Sequence, residues 1–444
     1  QDSGARALVY LNTFGHHVQE VLPDTAIEHL IEVRIGDMLP PLKGALVNAA
    51  VKHLKKMVPD YSLPQAVSFK DVLRDGARHS HKPAPLELDH VAVLQYTGGT
   101  TGVAKGAMLT HGNLVANMQQ VRANMQQLDD QGHPVIREGQ EVMIAPLPLY
   151  HIYAFTVNCM CMTVTGNHNV LITNPRDING FVKELQRWQF SAFLGLNTLF
   201  VALMAHPQFK KIDFSRLKGT NSGGTALVSA VAERWKSMTG CTVVEGYGLT
   251  ETSPVVCANP HGEHSRLGTV GLPVPGTTVK VIDDEGNALP LGERGELCVK
   301  GPQVMKGYWQ RPEATAEVLD EEGWLKTGDI AVIDEDGFVS IVDRKKDLII
   351  VSGFNVYPNE IEDVVMAHPK VAACAAIGVA DEKSGEAVKL FVVPSDPTLT
   401  QQELQAYCRE NFTGYKMPRH YVFRDALPMT PVGKILRREL RESA

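Results

Sequence analysis

The residues best placed to do chemistry stand in "YTGGTTGVAKG", 96–106. Between Thr97 and Gly106 the chain places three threonines and four glycines. Glycine lets the backbone turn tightly and aim its N–H groups at a ligand. The hydroxyls between the glycines add donors, and Lys105 adds a cation. Donors and a cation in one tight loop make a cradle for a polyphosphate. The loop is not a P-loop, which needs Gly-Lys-Ser/Thr; here Lys105 stands between Ala104 and Gly106. Nor does it hold the G-x-G-x-x-G of a dinucleotide site. Taken alone, such a loop after a strand also serves as an ordinary turn.

A cradle needs a scaffold. Apolar strand-like runs recur at 7–11, 91–97, 141–147, 169–173, 192–196 and 242–248. Helical patterns such as "NLVANMQQVRANMQQL" and "ALVSAVAERWKSMT" lie between several of them. Strands alternating with helices predict parallel α/β layers. After residue 268 the texture changes. "VIDDEGNALP", "GELCVKG" and "VIDEDGFVSIV" are short strands with Asp-Gly or Glu-Gly turns. They predict a small antiparallel barrel at about 269–343. "DEDG" is too short for a calcium loop. "DRKKD", 343–347, puts five charges between two apolar runs and by composition reads as a solvated hairpin tip. The hundred or so residues beyond it suffice for a small α+β domain.

The chain has 444 residues, more than one core usually serves, so two or more domains are expected. Its 44% hydrophobic and 21% charged content is that of a soluble globular protein. A net charge of −7 argues against a nucleic-acid partner. Seven cysteines without a Cys-x-x-Cys pair argue against disulfides or zinc and for a reducing cytoplasm. The chain opens without Met and without a secretory signal, which predicts an incomplete start. Val142 to Asn169 lacks formal charge but contains Pro146, Pro148 and His151, so it reads as buried core, not a membrane span. Residues 42–58 carry Lys43, Lys52, Lys55 and Lys56 in an amphipathic pattern. The plain reading is a surface helix. The sharper one is a basic helix peripheral on the inner face of a membrane.

Five ordered stretches resemble the adenylate-forming (acyl-CoA synthetase, AMP-binding) superfamily. They are "YTGGTTGVAKG"; "LPLYH" (147–151); "EGYGLTE" (245–251); "EGWLKTGDIAVIDEDGFVSIVDRKKD" (322–347) with "SGFNVYPNEIE" (352–362); and "PVGKILRREL" (431–440). "NPRDI" and "DRKKDLIIVSGFNVYPNEIEDVV" look most like the branch of bacterial long-chain fatty acid–CoA ligases. The resemblance covers nearly the whole chain and implies that part of the first α/β subdomain is missing at the start. It implies a large N-terminal domain, 1–343, of α/β layers plus the barrel. A small mobile C-terminal domain, 344–444, would turn about a hinge at Lys346.

The implied reaction has two halves. A carboxylate attacks the α-phosphorus of ATP, releasing pyrophosphate; the coenzyme A thiol then attacks the acyl carbon and expels AMP. Thr97, Gly98, Gly99, Thr100, Thr101, Gly102 and Lys105 would hold the β- and γ-phosphates. Gly223 and Gly224 of "SGGTAL" would line the adenine site, as would Glu245, Gly246 and Tyr247, whose ring would stack on the base. Thr250 would contact the α-phosphate and Glu251 would bind Mg²⁺. Asp329 would accept from the ribose hydroxyls, assisted by Arg344. Lys434 would be the catalytic lysine of adenylation, bridging carboxylate and α-phosphate. After domain rotation, Ser352, Gly353 and Phe354 would meet coenzyme A.

Relatives acting on amino acids carry an Asp near "LYHIYAF"; here His151, Tyr153 and Phe155 offer no carboxylate for an ammonium. Relatives acting on acetate close the pocket with a Trp where Gly248 stands here. An open apolar slot at His151, Phe155 and Gly248 would suit a medium or long acyl tail, with Phe155 as its gate. Three alternatives stay open at this stage: an aryl- or coumarate-type CoA ligase, an acyl-AMP ligase of the same superfamily, and an inactive fatty-acid or nucleotide carrier. A homodimer also stays open.

Overall fold

The computed structural model describes residues 2–97, 104–128, 132–224, 227–430 and 433–443. Contacts divide the chain into two compact units, 1–87 and 88–444. The first holds a parallel three-stranded sheet, Ala7–Leu11, His29–Val33 and Val67–Ser68, with Tyr10, Val18 and Leu30 in its core. Its helix Pro41–Ala49 continues through a wider turn, Ala50–Leu54. Lys43, Lys52, Lys55 and Lys56 are exposed there as expected, but so are Leu42 (84%), Leu46 (72%) and Leu54 (80%).

The second unit is built on a seven-stranded sheet. Val243–Gly248, Gly219–Gly223, Ala192–Gly195, Val142–Ala145 and His168–Leu171 run parallel, in that spatial order. Val255–Ala258 and Leu272–Pro273 extend one edge antiparallel. The central parallel strands Ala192–Gly195, Val142–Ala145 and Gly219–Gly223 are short and largely buried because helices cover them. Phe193, Phe200, Phe209 and Trp235 pack together under one face, with Phe200 and Trp235 4.7 Å apart between ring centroids. The charge-free stretch 142–169 is core, as expected: strand, turn, the wide helix Phe155–Met162 and strand. Among the described residues no helix is long and apolar enough to cross a membrane. All seven cysteines are free thiols.

Val91–Thr97 pairs antiparallel with Lys105–Thr110, and Thr97 faces Lys105. The region expected as a small barrel is a four-stranded antiparallel sheet: Thr278–Ile282, Gly295–Lys300, Leu325–Ile333 and Val339–Arg344. "DRKKD" is not a hairpin tip. It ends strand Val339–Arg344 and turns through Lys345–Asp347 into another sheet. Composition could not distinguish a tip from a crossover: Asp343 and Asp347 are buried, but on partners, Asn359 and Arg441, from elsewhere in the chain.

Residues beyond it form an α+β layer whose strands are Ile349–Val351, Phe354–Val356, Val371–Asp381, Gly385–Pro394 and His420–Phe423. The helices Pro358–Met366 and Gln401–Asn411 pack on that sheet through Ile361, Val365, Leu404 and Cys408. This layer is docked on the rest of the second unit, so the expected 343/344 boundary falls inside that unit.

Candidate active site

In open α/β sheets ligands bind beyond the carboxyl ends of the parallel strands. Several of the expected residues lie there. His151 follows Val142–Ala145, Gly224 follows Gly219–Gly223, and Gly248 ends the strand that carries Tyr247. Gly223 and Gly246 are paired across neighbouring strands. A Cβ at Gly223 would lie 3.1 Å from the Tyr153 ring.

Tyr247 donates its hydroxyl to Asp329 Oδ2 at 2.6 Å, and Arg344 Nε lies 3.2 Å from Asp329 Oδ1. Asp329 is 3% exposed and faces Arg344 across paired strands. Burial raises its pKa against the pull of Arg344, Tyr247 and Lys434. Burial also pushes the Tyr247 phenol well above its ordinary value, helped by the Asp329 charge. Both oxygens of Asp329 are thereby held in place.

Lys434 comes from the far end of the chain. Its side chain passes Gly224, where a Cβ would meet Cε at 3.4 Å and Nζ at 3.9 Å. A Cβ on neighbouring Gly433 would touch Leu196 and Thr198. Burial lowers the Lys434 pKa, as does Arg344, while Asp329 and Glu251 pull it back up. Its ammonium is therefore within electrostatic reach of both carboxylates. His151 is pushed down to about 4 by burial and by Lys434, so it is neutral at pH 7. Its Nδ1 accepts from Tyr153 N–H at 3.3 Å.

Glu251 lies in the turn Thr250–Thr252. Its Oε1 accepts the Tyr308 hydroxyl at 2.7 Å, and its carbonyl accepts Met305 N–H at 2.8 Å. Lys105 Nζ stands 5.2 Å from the centroid of the same Tyr308 ring. A cavity of about 360 Å³ adjoins this cluster, lined by Glu251, Tyr308, Thr327 and Lys326 among others. Glu245 Oε1 accepts Leu227 N–H at 3.0 Å, and burial pushes its pKa up to about 7. Gly98, Gly99, Thr100, Thr101 and Gly102 lie outside the described residues.

The hinge stretch is tied in several directions. Arg344 reaches Asp329, and Lys345 reaches Asp284 (2.8 Å) and Glu296 (3.1 Å). Asp343 accepts Asn359 N–H at 2.8 Å, and Asp347 pairs with Arg441 at 2.7 Å. Ser352 (φ 52°) and Gly353 (φ 82°) make a two-residue hairpin turn. Phe354 is 57% exposed and stacks on Tyr415. Thus Lys434 stands at the cluster while the turn expected to meet coenzyme A faces solvent.

Two acyl-pocket residues carry other constraints. A Cβ at Gly248 would overlap the Pro254 carbonyl oxygen, so the backbone itself requires glycine at this bulge. Phe155 packs against the cluster of Leu109, Leu114, Ile152 and Met305. Sequence reasoning missed Tyr308. Only an aromatic in a loop marks it, and its partner Glu251 lies 57 residues away.

A family model described as AMP-binding enzyme matches residues 1–309, and one described as AMP-binding enzyme C-terminal domain matches 360–434. A long-chain-fatty-acid–CoA ligase of Escherichia coli O6:H1 is 54% identical over 443 residues, 100% of this chain and 78% of the relative. A feruloyl-CoA synthase of Amycolatopsis is 38% identical over 93% of this chain and 82% of its own length. A crystal structure of the anthranilate CoA ligase AuaEII with anthranoyl-AMP superposes with a TM-score of 0.85 at 25% identity, covering 100% of this chain and 79% of that one.

Proposed function

The chain belongs to the AMP-binding enzyme family, and from that premise we propose that it joins a long-chain fatty acid to coenzyme A through an acyl-adenylate. The observation that carries this reading is Lys434 seated beside Gly224, within reach of Asp329 and Glu251. A catalytically dead carrier has no use for a buried, desolvated lysine beside two carboxylates.

In the first half-reaction the fatty carboxylate attacks the α-phosphorus, the bond to the bridging oxygen breaks, and pyrophosphate leaves. Negative charge spreads over phosphate oxygens, and placed cations meet it. Lys434 lies between carboxylate and α-phosphate. Lys105 and the Gly/Thr stretch 97–102 take the outgoing phosphates, and Thr250 donates its hydroxyl. Asp329 and Arg344 hold the ribose, and Tyr247 lies on the base while its hydroxyl stays on Asp329. Mg²⁺ fits this site on one ground: Glu251 offers a carboxylate whose orientation is already fixed through Oε1. When bound, Mg²⁺ neutralises phosphate charge.

In the second half-reaction the coenzyme A thiolate attacks the acyl carbon, forming the thioester and releasing AMP. Residues 344–444 form a domain that turns at Lys346. Lys434 withdraws, and Ser352, Gly353 and Phe354 approach. The solvent-facing turn at 352–353 supports this order. The acyl tail runs past His151, neutral and half-buried, and Phe155, with Gly248 at the mouth. Burying each methylene contributes roughly 0.8 kcal/mol, which favours long chains without sharp discrimination. The exposed lysines and leucines of 41–54 would let the enzyme meet its lipid substrate at a membrane surface.

Carboxylate-dependent ATP–pyrophosphate exchange over palmitate, octanoate and coumarate, with AMP release measured with and without coenzyme A, tests the reading. Exchange highest with palmitate and thioester formed only with coenzyme A is expected. Preference for coumarate would overturn the substrate class.

A further inference from the structure

Residues Lys306–Trp309 run along the returning strand of the phosphate hairpin as an added antiparallel strand. Lys306 N–H donates to Met108 O at 3.0 Å, Met108 N–H to Gly307 O at 2.9 Å, and Trp309 N–H to Gly106 O at 2.8 Å. Tyr308 is the residue this strap delivers. Its backbone N–H donates to Thr315 Oγ1 at 2.9 Å, which fixes where its ring emerges. Gly307 (φ 139°) has no room for a Cβ, because Thr315 fills the space. Tyr308 is 8% exposed and packs beside Ala107, Leu109 and Ile152.

Packing alone would be satisfied by phenylalanine. The hydroxyl instead donates to Glu251 Oε1 at 2.7 Å, while Lys105 Nζ lies 5.2 Å from the ring centroid. The strap also grips the Glu251 main chain through Met305 N–H. One ring therefore touches both the carboxylate expected to hold the metal and the lysine that closes the phosphate hairpin. Donation to an anion enriches the ring in electrons, which strengthens its hold on an ammonium.

We propose that Tyr308 is a positioning residue for adenylation: it fixes the Glu251 carboxylate for the metal and couples it to Lys105. The proposal rests on the acyl-adenylating function proposed above. It assigns Tyr308 no contact with substrate. The tyrosine acts through Glu251, as an outer-shell partner orients a ligand.

Tyr308→Phe keeps the ring and removes only the hydroxyl. The test is Mn²⁺–ATP binding, followed by the electron paramagnetic resonance of Mn²⁺, together with the Mg²⁺ dependence of palmitate-driven pyrophosphate exchange. Half-saturating metal in both should rise about tenfold. Thioester formation from supplied acyl-adenylate should hold within about twofold, since that step does not use the triphosphate. If Tyr308→Phe fails to fold, Thr315→Val loosens the strap and should raise the same metal requirement about threefold. Unchanged metal dependence, with only a lower Tm, would make Tyr308 a packing residue and overturn the proposal. A parent chain that binds Mn²⁺–ATP but lacks exchange would refute the function while leaving the binding comparison intact. A parent that binds no Mn²⁺–ATP would refute both.

Discussion

Lys434 lies against Gly224, so close that a methyl group on that glycine would touch Cε at 3.4 Å. The two residues are 210 positions apart in the chain and meet only because the C-terminal layer is docked. Gly224 also has φ 86°, a conformation that costs other residues roughly 1–2 kcal/mol. Gly224→Ala should therefore strain the turn and displace the lysine. Pyrophosphate exchange should fall about tenfold or more. Thioester formation from supplied acyl-adenylate should fall much less. Equal losses in the two assays would contradict the placement.

The turn at 352–353 predicts the opposite asymmetry. A Cβ at Gly353 meets nothing within 4 Å in this arrangement. Gly353→Leu should cost little in adenylation beyond the strain of φ 82°. In the rotated arrangement the same side chain would obstruct pantetheine. Thioester formation should drop about a hundredfold while exchange stays within about twofold. A single-turnover assay of each half-reaction reads this directly.

Glu245 gives a pH-dependent prediction. In the fold its carboxyl keeps its proton up to about pH 7, because burial penalises the charge, with Asp363 adding to the penalty. In the unfolded chain it ionises near the ordinary value of 4.5. Between these values the folded state binds the extra proton, so stability falls as pH rises through that window. Glu245→Gln removes the penalty. Its Tm should exceed that of the parent by about 2 °C or more at pH 8 and should match it near pH 4.5. A gain of the same size at both pH values would exclude ionisation as the cause.

Much of this architecture was legible in the sequence because it is local. The strand runs at 7–11, 91–97 and 243–248 are apolar segments bounded by turn residues. The helix His111–Met125 starts where Thr110 and Asn113 cap each other, two residues before the apolar pattern begins. What could not be read locally is pairing at a distance. Lys434 beside a glycine near the end of a chain looks like surface; only the ordered motifs marked it. "DRKKD" looked like a tip because its partners, Asp329, Asp284, Glu296 and Arg441, come from elsewhere in the chain. Tyr308 carried no chemical signature until Glu251 was seen on its hydroxyl. Nor did the helical pattern at 42–58 reveal that Leu42, Leu46 and Leu54 stay uncovered.

The most direct measurement is on Lys434→Ala, followed through both half-reactions with palmitate. Loss of this one cation should cost about 3–4 kcal/mol of transition-state stabilisation, a fall of about 10²–10³ in pyrophosphate exchange. Palmitoyl-adenylate supplied to the same variant should still yield thioester at close to the parent's rate. If both steps fall together, or if exchange survives, the lysine does not act on the reacting phosphate and the two-arrangement account fails.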